Sequence, residues 1–325
     1  MSPILQGLIT IVLGVGGCVA YFYASNLVLD KVIFPPKGAN PGRNINRANM
    51  VRPWLFLLPA ILALGIYLAY PVVGSFWRSL FNRDGSQFIG LGNYEKLAGD
   101  GTFRQAVFNN FLWVLFVPAL ATFFGLMAAQ LTDRLKWGNL AKSLIFMPMA
   151  ISFVGASLIW KFVYANNPTI GLINAVRDYF HLIPVDPLQI PFWNNFFLMV
   201  ILIWIQTGFA MVILSGALRG IPEETVEAAV LDGANSFQLF FKIKVPQIMP
   251  TIVVVWTTIT ILVLKVFDIV YATTGGNFGT QILPSYMMQY MFRDDGRATA
   301  VAFVIMIIVL PVMIWNIIQA RKELR

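Results

Sequence analysis

The chain has 325 residues, 58% of them hydrophobic and only 12% charged, with a mean hydropathy of +0.72 and a formal net charge of +8. So little charge cannot solvate that much apolar surface, which excludes a soluble globular protein and leaves a polytopic membrane protein. One cysteine, Cys18, excludes a disulfide framework within the chain, and one histidine, His181, makes a histidine-based metal site untenable.

Seven apolar runs are long enough to cross the roughly 20 residues' depth of hydrocarbon. They are 5–29, 54–80, 106–132, 140–164, 194–218, 248–272 and 297–319. No Lys or Arg precedes the first run, as the n-region of a signal peptide would require, so it reads as a retained span. The segment 35–53 is rich in Pro, Gly and Asn and predicts an irregular, flexible connection. The expected organisation is an all-α membrane protein. Residues 1–34 form an extra N-terminal transmembrane helix and 35–53 a cytoplasmic linker. Residues 54–319 form a six-span core with a cytoplasmic loop at 219–247, and 320–325 a cytoplasmic tail.

Charge sets the orientation. The segments 30–53, 133–142 and 219–247 and the tail carry fourteen Lys and Arg, including Lys37, Arg134, Arg321, Lys322 and Arg325, against seven in the alternate loops. The basic side is cytoplasmic by the positive-inside rule, which places the N-terminus outside and the C-terminus inside. The basic residues are dispersed over juxtamembrane loops and form no groove for nucleic acid. Trp137, Trp160 and Trp193 sit at span ends and read as interfacial anchors.

Polar residues near the middle of a span need a reason, because hydrocarbon disfavours them. Gln206 and Thr207 lie halfway along 194–218, and Thr257, Thr258 and Thr260 halfway along 248–272. They either line a path or bond their own backbone and neighbouring helices. Trp204 and Phe209 add aromatic faces beside the Gln206 amide. Lys265 and Asp268, three residues apart, are expected to neutralise one another near the outer end of the sixth of the seven runs.

The loop IPEETVEAAVLDGANSFQLFFKIKVPQIMP, residues 221–250, is charged and helix-forming between two apolar runs. Pro222 suits a first helical turn, and Glu223, Glu224 and Glu227 suit the positive end of a helix dipole. Gly233 predicts a stop, Asn235 or Ser236 a cap for a second helix, and Pro246 its end. Glu227-Ala228-Ala229, three residues, Gly233, nine residues, Ile243, two residues and Pro246 together resemble the EAA loop of bacterial ABC import permeases. The segments FIGLGNYEKL at 88–97, Asn109-Asn110 and KVFDIVYATTGG at 265–276 are similar to the carbohydrate branch of that family, the maltose, α-glucoside and glycerol-phosphate systems, with an α-glucoside-type permease as the nearest look. GNFGT at 276–280 departs from the usual glycine- and proline-rich run, and the short 81–105 loop lacks the large insertion of the maltose subunit.

The resemblance implies a permease subunit of an ATP-driven sugar importer in the bacterial inner membrane, working by alternating access. It implies that Glu227, Ala228, Ala229, Asp232, Gly233, Ile243 and Pro246 couple to the ATPase. It also places the substrate path near 205–209 and 259–266, hence at Trp204, Gln206, Phe209, Thr257, Thr260, Leu262 and Val263. The implied partners are a second permease subunit forming a heterodimer, two ATPase subunits, and a periplasmic or lipid-anchored sugar-binding protein. No G-x-x-x-x-G-K-[ST] loop occurs, so the chain is expected to bind no cofactor itself and to leave ATP and Mg to the ATPase subunits. An ion-coupled secondary transporter is the competing class. It calls for charged, broken helices in both halves, and Lys265 and Asp268 have no counterpart in the first half. A membrane scaffold without a path is a third class, in which changes at Gln206 or Thr260 would be silent.

Overall fold

The computed structural model describes residues 2–36, 41–133 and 135–323. Of the basic residues used for orientation, Lys37, Arg134, Arg325 and the side chains of Arg321 and Lys322 lie outside the described residues. Among the described residues there is no strand, only helices and one isolated bridge between Phe81 and Phe88.

In chain order the helices are α1 (Pro3–Ile33), α2 (Pro41–Ser79), α3 (Gly92–Gly99), α4 (Gly101–Thr132), α5 (Gly138–Ala150), α6 (Phe153–Val163) and α7 (Leu172–Tyr179). They continue with α8 (Trp193–Arg219), α9 (Glu223–Leu231), α10 (Ser236–Gln247), α11 (Met249–Val263), α12 (Asp268–Thr273), α13 (Leu283–Tyr290) and α14 (Asp295–Glu323). Five of these, α1, α2, α4, α8 and α14, are long and apolar enough to cross a membrane singly. The predicted span 140–164 is a bent pair, and the predicted span 248–272 begins with α11, which is bent against α10. α5 and α6 meet at 105°, and α10 and α11 at 71°. The run 140–164 therefore breaks where Pro148 enters a 3-10 turn and Ser152 caps α6 through the Gly155 amide at 3.1 Å. The run 248–272 ends as a helix at Val263 and resumes at Asp268. This break also separates Lys265 from Asp268, and no ion pair joins them among the described residues.

Residues 1–74 and 75–325 form two compact units. In the first, α1 and the start of α2 are tied to one another at two points. Arg52 donates to both oxygens of Asp30 at 2.7 and 2.9 Å, and the Tyr21 hydroxyl to the Leu55 carbonyl at 2.8 Å. Residues 41–53, expected to be irregular, are helical. Pro41 sits at the first turn, where its missing N–H is harmless, and these tertiary ties override a weak local propensity. Three helices contain a π turn, Leu29–Ile33, Gly65–Ala69 and Leu239–Lys244, and each ends two residues before a proline: Pro35, Pro71 and Pro246. Proline lacks the N–H and its ring collides with the carbonyl four residues back, and a widened turn moves that carbonyl away. This is why α10 passes through Pro246 to Gln247 instead of ending there.

In the second unit α4, α5 and α8 approach closely through glycine. A Cβ on Gly125 of α4 would stand 2.4 Å from Ala210 Cβ on α8, and one on Gly208 of α8 would stand 2.6 Å from the Ile145 carbonyl on α5. The buried core runs along this contact through Trp113, Val117, Leu202, Ile205, Met211 and Leu214 and on to Val255 and Ile259 of α11. A smaller core joins Leu97, Phe103, Leu283, Tyr286, Ala300 and Val301. Trp137 and Trp193 are exposed, as anchors should be. Trp160 instead packs against Tyr164 and Trp204, with ring centroids at 5.2 and 5.8 Å.

Candidate functional site

The 221–247 segment is a helical hairpin. Glu223 and Glu224 lie in the first turn of α9, and Gly233 ends it at φ +83°. The Gly233 amide donates to the Val230 carbonyl and the Ala234 amide to the Ala229 carbonyl, both at 3.0 Å, so the end of α9 is satisfied by a left-handed glycine turn. Asn235 then caps α10. Its side chain accepts from the Gln238 amide at 2.8 Å, and the Gln238 side chain accepts from the Asn235 amide at 3.0 Å. Leu239 and Phe240 turn inward, while Phe241 stacks between Phe240 and Phe237 at 4.9 and 4.5 Å.

Of the expected contact residues, Glu227, Ala228, Asp232, Gly233 and Pro246 are exposed, Ile243 is half-buried and Ala229 is buried. The hairpin leaves Leu231 88% and Phe237 70% exposed. Covering one such side chain is worth about 1.5–3 kcal/mol, so the tip is built to be covered by something.

Beside the hairpin opens a cleft of about 640 Å³. Its walls include Glu223, Val226, Glu227 and Lys244 from the hairpin and Leu218, Arg219 and Asp133 from the helix ends. Sequence reasoning did not single out Asp133. Its Oδ1 accepts from Lys142, from Arg219 at 3.0 and 3.3 Å, and from Ser215 at 3.3 Å, and Ser215 also accepts from Lys142 at 2.6 Å. Burial pushes the Asp133 carboxyl up, but the hydrogen bonds from Lys142 and Arg219 and their charges overcome it and hold it below the ordinary carboxylate range.

The expected path residues do not converge. Successive helical residues turn by about 100°, so Trp204 and Thr207 share one face of α8 while Gln206 and Phe209 share another. Trp204 and Thr207 line an apolar cavity of about 550 Å³ with Phe124, Leu144, Pro148 and Trp160. Gln206 is 5% exposed, and its amide makes no hydrogen bond among the described residues. The threonines are satisfied by their own helices: Thr207 by Ile203, Thr257 by Val253, Thr258 by Val254 and Thr260 by Trp256, at 2.7–2.9 Å. Val263 is buried and Leu262 half-buried.

At the opposite end of α4 and α8, asparagines pin the segment between α12 and α13. Asn109 donates to the Gly279 and Gln281 carbonyls at 2.8 and 2.7 Å, Asn110 accepts from the Leu283 amide at 2.6 Å, and Asn194 donates to the Phe278 carbonyl at 2.7 Å. Phe278 and Gly279 adopt positive φ there. Asp100 caps α4 and accepts from the Tyr286 hydroxyl at 2.8 Å, with Arg297 at 3.6 Å. Asparagines inside apolar runs are a signal that sequence reasoning had in view at 109 and 110 and passed over at 194 and 195.

Residues 121–324 match the family model described as binding-protein-dependent transport system inner membrane component. The chain is 62% identical over 333 residues to an α-glucoside transport system permease protein of Rhizobium meliloti, covering 99% of each. It is 46% identical to an osmoprotective compounds uptake permease protein of Synechocystis, covering 83% of this chain and all of that one. It is 30% identical to a trehalose/maltose transport system permease protein of Thermococcus litoralis, covering 79% and 89%. Among solved structures, a chain of a bacterial alginate ABC transporter in complex with an alginate-bound periplasmic protein aligns with TM-score 0.71 at 21% identity, covering 88% of this chain and 98% of that one. At that identity the likeness speaks for the fold.

Proposed function

The chain belongs to the family of binding-protein-dependent transport system inner membrane components, and on that premise we propose that it is the permease subunit of an ATP-driven importer of α-glucosides. It is an inner-membrane subunit, and the observation that carries the substrate class is the end-to-end identity with the α-glucoside permease. The trehalose/maltose relative points the same way.

In this reading the five long helices, the bent pair α5 and α6, and α11 continued by α12 make seven crossings, with the N-terminus outside and the hairpin in the cytoplasm. α1 with its connection is an appendage to a core that begins near residue 54. The hairpin docks on an ATPase subunit through Glu227, Ala228, Asp232, Gly233 and Pro246 at its surface, backed by Ala229 and Ile243. ATP and Mg bind to the two ATPase subunits, a second and similar permease subunit completes the path, and a binding protein delivers the sugar outside. Gln206 carries the path assignment best, because an amide on a largely buried residue that makes no hydrogen bond among the described residues suits a sugar hydroxyl. Phe209, on the same face of α8, and Leu262 shape the wall, whereas Trp204 faces the other side of α8, Val263 is buried in the core, and Thr257 and Thr260 are already satisfied. Catalysis by this chain is not part of the reading, since hydrolysis resides in the partners.

Purification of the tagged chain from its native cells in mild detergent tests this. Co-elution of a nucleotide-binding subunit and a second permease, with ATPase activity raised by an α-glucoside and its binding protein, is the expected result. A stable chain that elutes alone would overturn the reading.

A further inference from the structure

The inner ends of α4, α5 and α8 are joined at a single atom. Asp133 follows the last residue of α4 and offers Oδ1 to Lys142 on α5, and to Ser215 and Arg219 on the last turn of α8. Arg219 is the last residue of α8, and only Gly220, Ile221 and Pro222 separate it from α9. The turn between α4 and α5 is tight as well. A Cβ on Gly138 would stand 2.1 Å from the Thr132 carbonyl, so only glycine lets α5 begin against the end of α4. Deeper in, Gly125 and Gly208 hold α4, α8 and α5 in close contact. The cleft that Asp133 and Arg219 line is the one whose other wall is Glu223, Val226, Glu227 and Lys244 of the hairpin.

A push on the hairpin enters the unit through Arg219. Without a lateral tie it would move the end of α8 alone. We propose that Asp133 is a positioning residue for transport: a clamp that makes α4, α5 and α8 follow the hairpin as one body. The clamp rests on the transporter reading and names a residue outside the EAA pattern that the coupling depends on. The Lys142 half of the cluster is sheltered, with side chains 15% and 25% exposed, while Arg219 is 62% exposed; a carboxylate shared among two cations and a hydroxyl is stiffer than a lone exposed pair, which is usually worth little. Beside the tie to Lys142, nine residues away, its bonds to Ser215 and Arg219 join residues 82 and 86 apart in sequence, so it carries a tertiary constraint.

The test uses the complete transporter, this chain with its partner permease, ATPase subunits and binding protein, reconstituted in vesicles with radiolabelled maltose as probe. Asp133→Asn keeps the shape and removes the charge. The expected result is continued ATP hydrolysis with about a tenfold fall in maltose imported per ATP. Asp133→Glu should recover most of the ratio, and the double change Lys142→Gln with Arg219→Gln should reproduce Asp133→Asn. An unchanged ratio in Asp133→Asn, beside active wild type, overturns the clamp and leaves the transporter reading standing. Absence of ATP-driven uptake by wild type overturns the transporter reading in its α-glucoside form.

A second measurement needs no substrate and also serves if a variant reconstitutes poorly. Spin labels at Leu131 and Gly216, in a Cys18→Ser background, report the distance between the ends of α4 and α8 in detergent-solubilised complex. The clamp predicts a narrow distribution that is the same with and without ATP, broadened by Asp133→Asn or by the Lys142/Arg219 pair. A distribution equally narrow in these variants and wild type overturns it.

Discussion

Gly233 is the position at which a single backbone conformation controls the hairpin, and a graded series there tests the docking reading. Its φ of +83° is a region that L side chains rarely adopt, yet an added Cβ would meet nothing within 4 Å. Strain and steric bulk, which usually change together, are therefore separable. A left-handed conformation costs an ordinary L residue about 1–2 kcal/mol, less for Asn and Asp, and more for a β-branched side chain. If docking needs this turn, that strain reduces the docking-competent population by about fivefold to thirtyfold. The expected order of retained ATPase subunit on mild-detergent purification is Gly, then Asn, then Ala, then Val, with the amount of chain in the membrane unchanged throughout. Gly233→Asp tolerates the conformation as Asn does, so a loss beyond that of Asn reports a carboxylate placed at the docking face. That variant is expected to remain in the membrane but fail to couple. If Val retains the ATPase subunit and sugar uptake as well as Gly does, the hairpin geometry is irrelevant to docking and the reasoning is refuted.

Asn109→Ala removes the donor to two carbonyls, at Gly279 and Gln281, and should cost about 2–4 kcal/mol. Thermal unfolding in detergent should drop by several degrees, and a shift within error would show that water replaces the amide without cost. Gln206→Ala is expected to raise the α-glucoside concentration needed for half-maximal ATPase stimulation by about fivefold, the worth of one neutral hydrogen bond. Thr260→Val should be near-silent, because that hydroxyl is already bonded to the Trp256 carbonyl. The opposite ranking would move the path to α11.

The pH dependence follows from two carboxyls. In Asp133, burial raises and the Lys142 and Arg219 bonds lower, with lowering ahead; in Asp100, burial raises and the Tyr286 hydroxyl and the Thr102 and Phe103 amides lower, again with lowering ahead. A folded pKa below the unfolded one means the stabilisation is complete above the ordinary value of 3.8 and is lost as pH falls through the folded value. Stability should thus be flat in this respect from pH 7 to 5 and decline below about 4. The decline should be shallower in Asp133→Asn and Asp100→Asn, as measured by unfolding midpoints against pH.

Apolar runs are legible in a sequence because spanning a membrane fixes their length, and α1, α2, α4, α8 and α14 fall where those runs lie. The breaks are harder to read. Nothing in the composition of 140–164 distinguishes a kink at Pro148 from a 105° bend, because the bend is set by α5 packing against Gly208 of a distant helix. The helix over 41–53 was hidden for a similar reason, since Asp30 and Arg52 meet only once the hairpin forms. Pro246 was misread because a π turn upstream accommodates the ring, and π turns have no sequence signature of their own. The hairpin itself was legible to the residue at Gly233, and its second cap to Asn235 or Ser236, of which Asn235 is the cap, because local backbone chemistry decides there. Asp133 was not, because an aspartate beside two basic residues in a short loop looks like solvated charge until α8 brings Ser215 and Arg219 to it. The path residues were legible by type but not by face, and Trp204 and Gln206 proved to point to different sides of α8.

In the proposed function this chain carries α-glucosides across the inner membrane under power borrowed from its partners. The most direct test is uptake of labelled maltose and trehalose into proteoliposomes holding the complete transporter and its binding protein, with ATP supplied on the side of the hairpin. Accumulation should require ATP, require the binding protein on the opposite side, and be lost without the ATPase subunits. Accumulation driven by an ion gradient in the absence of ATP would contradict that function.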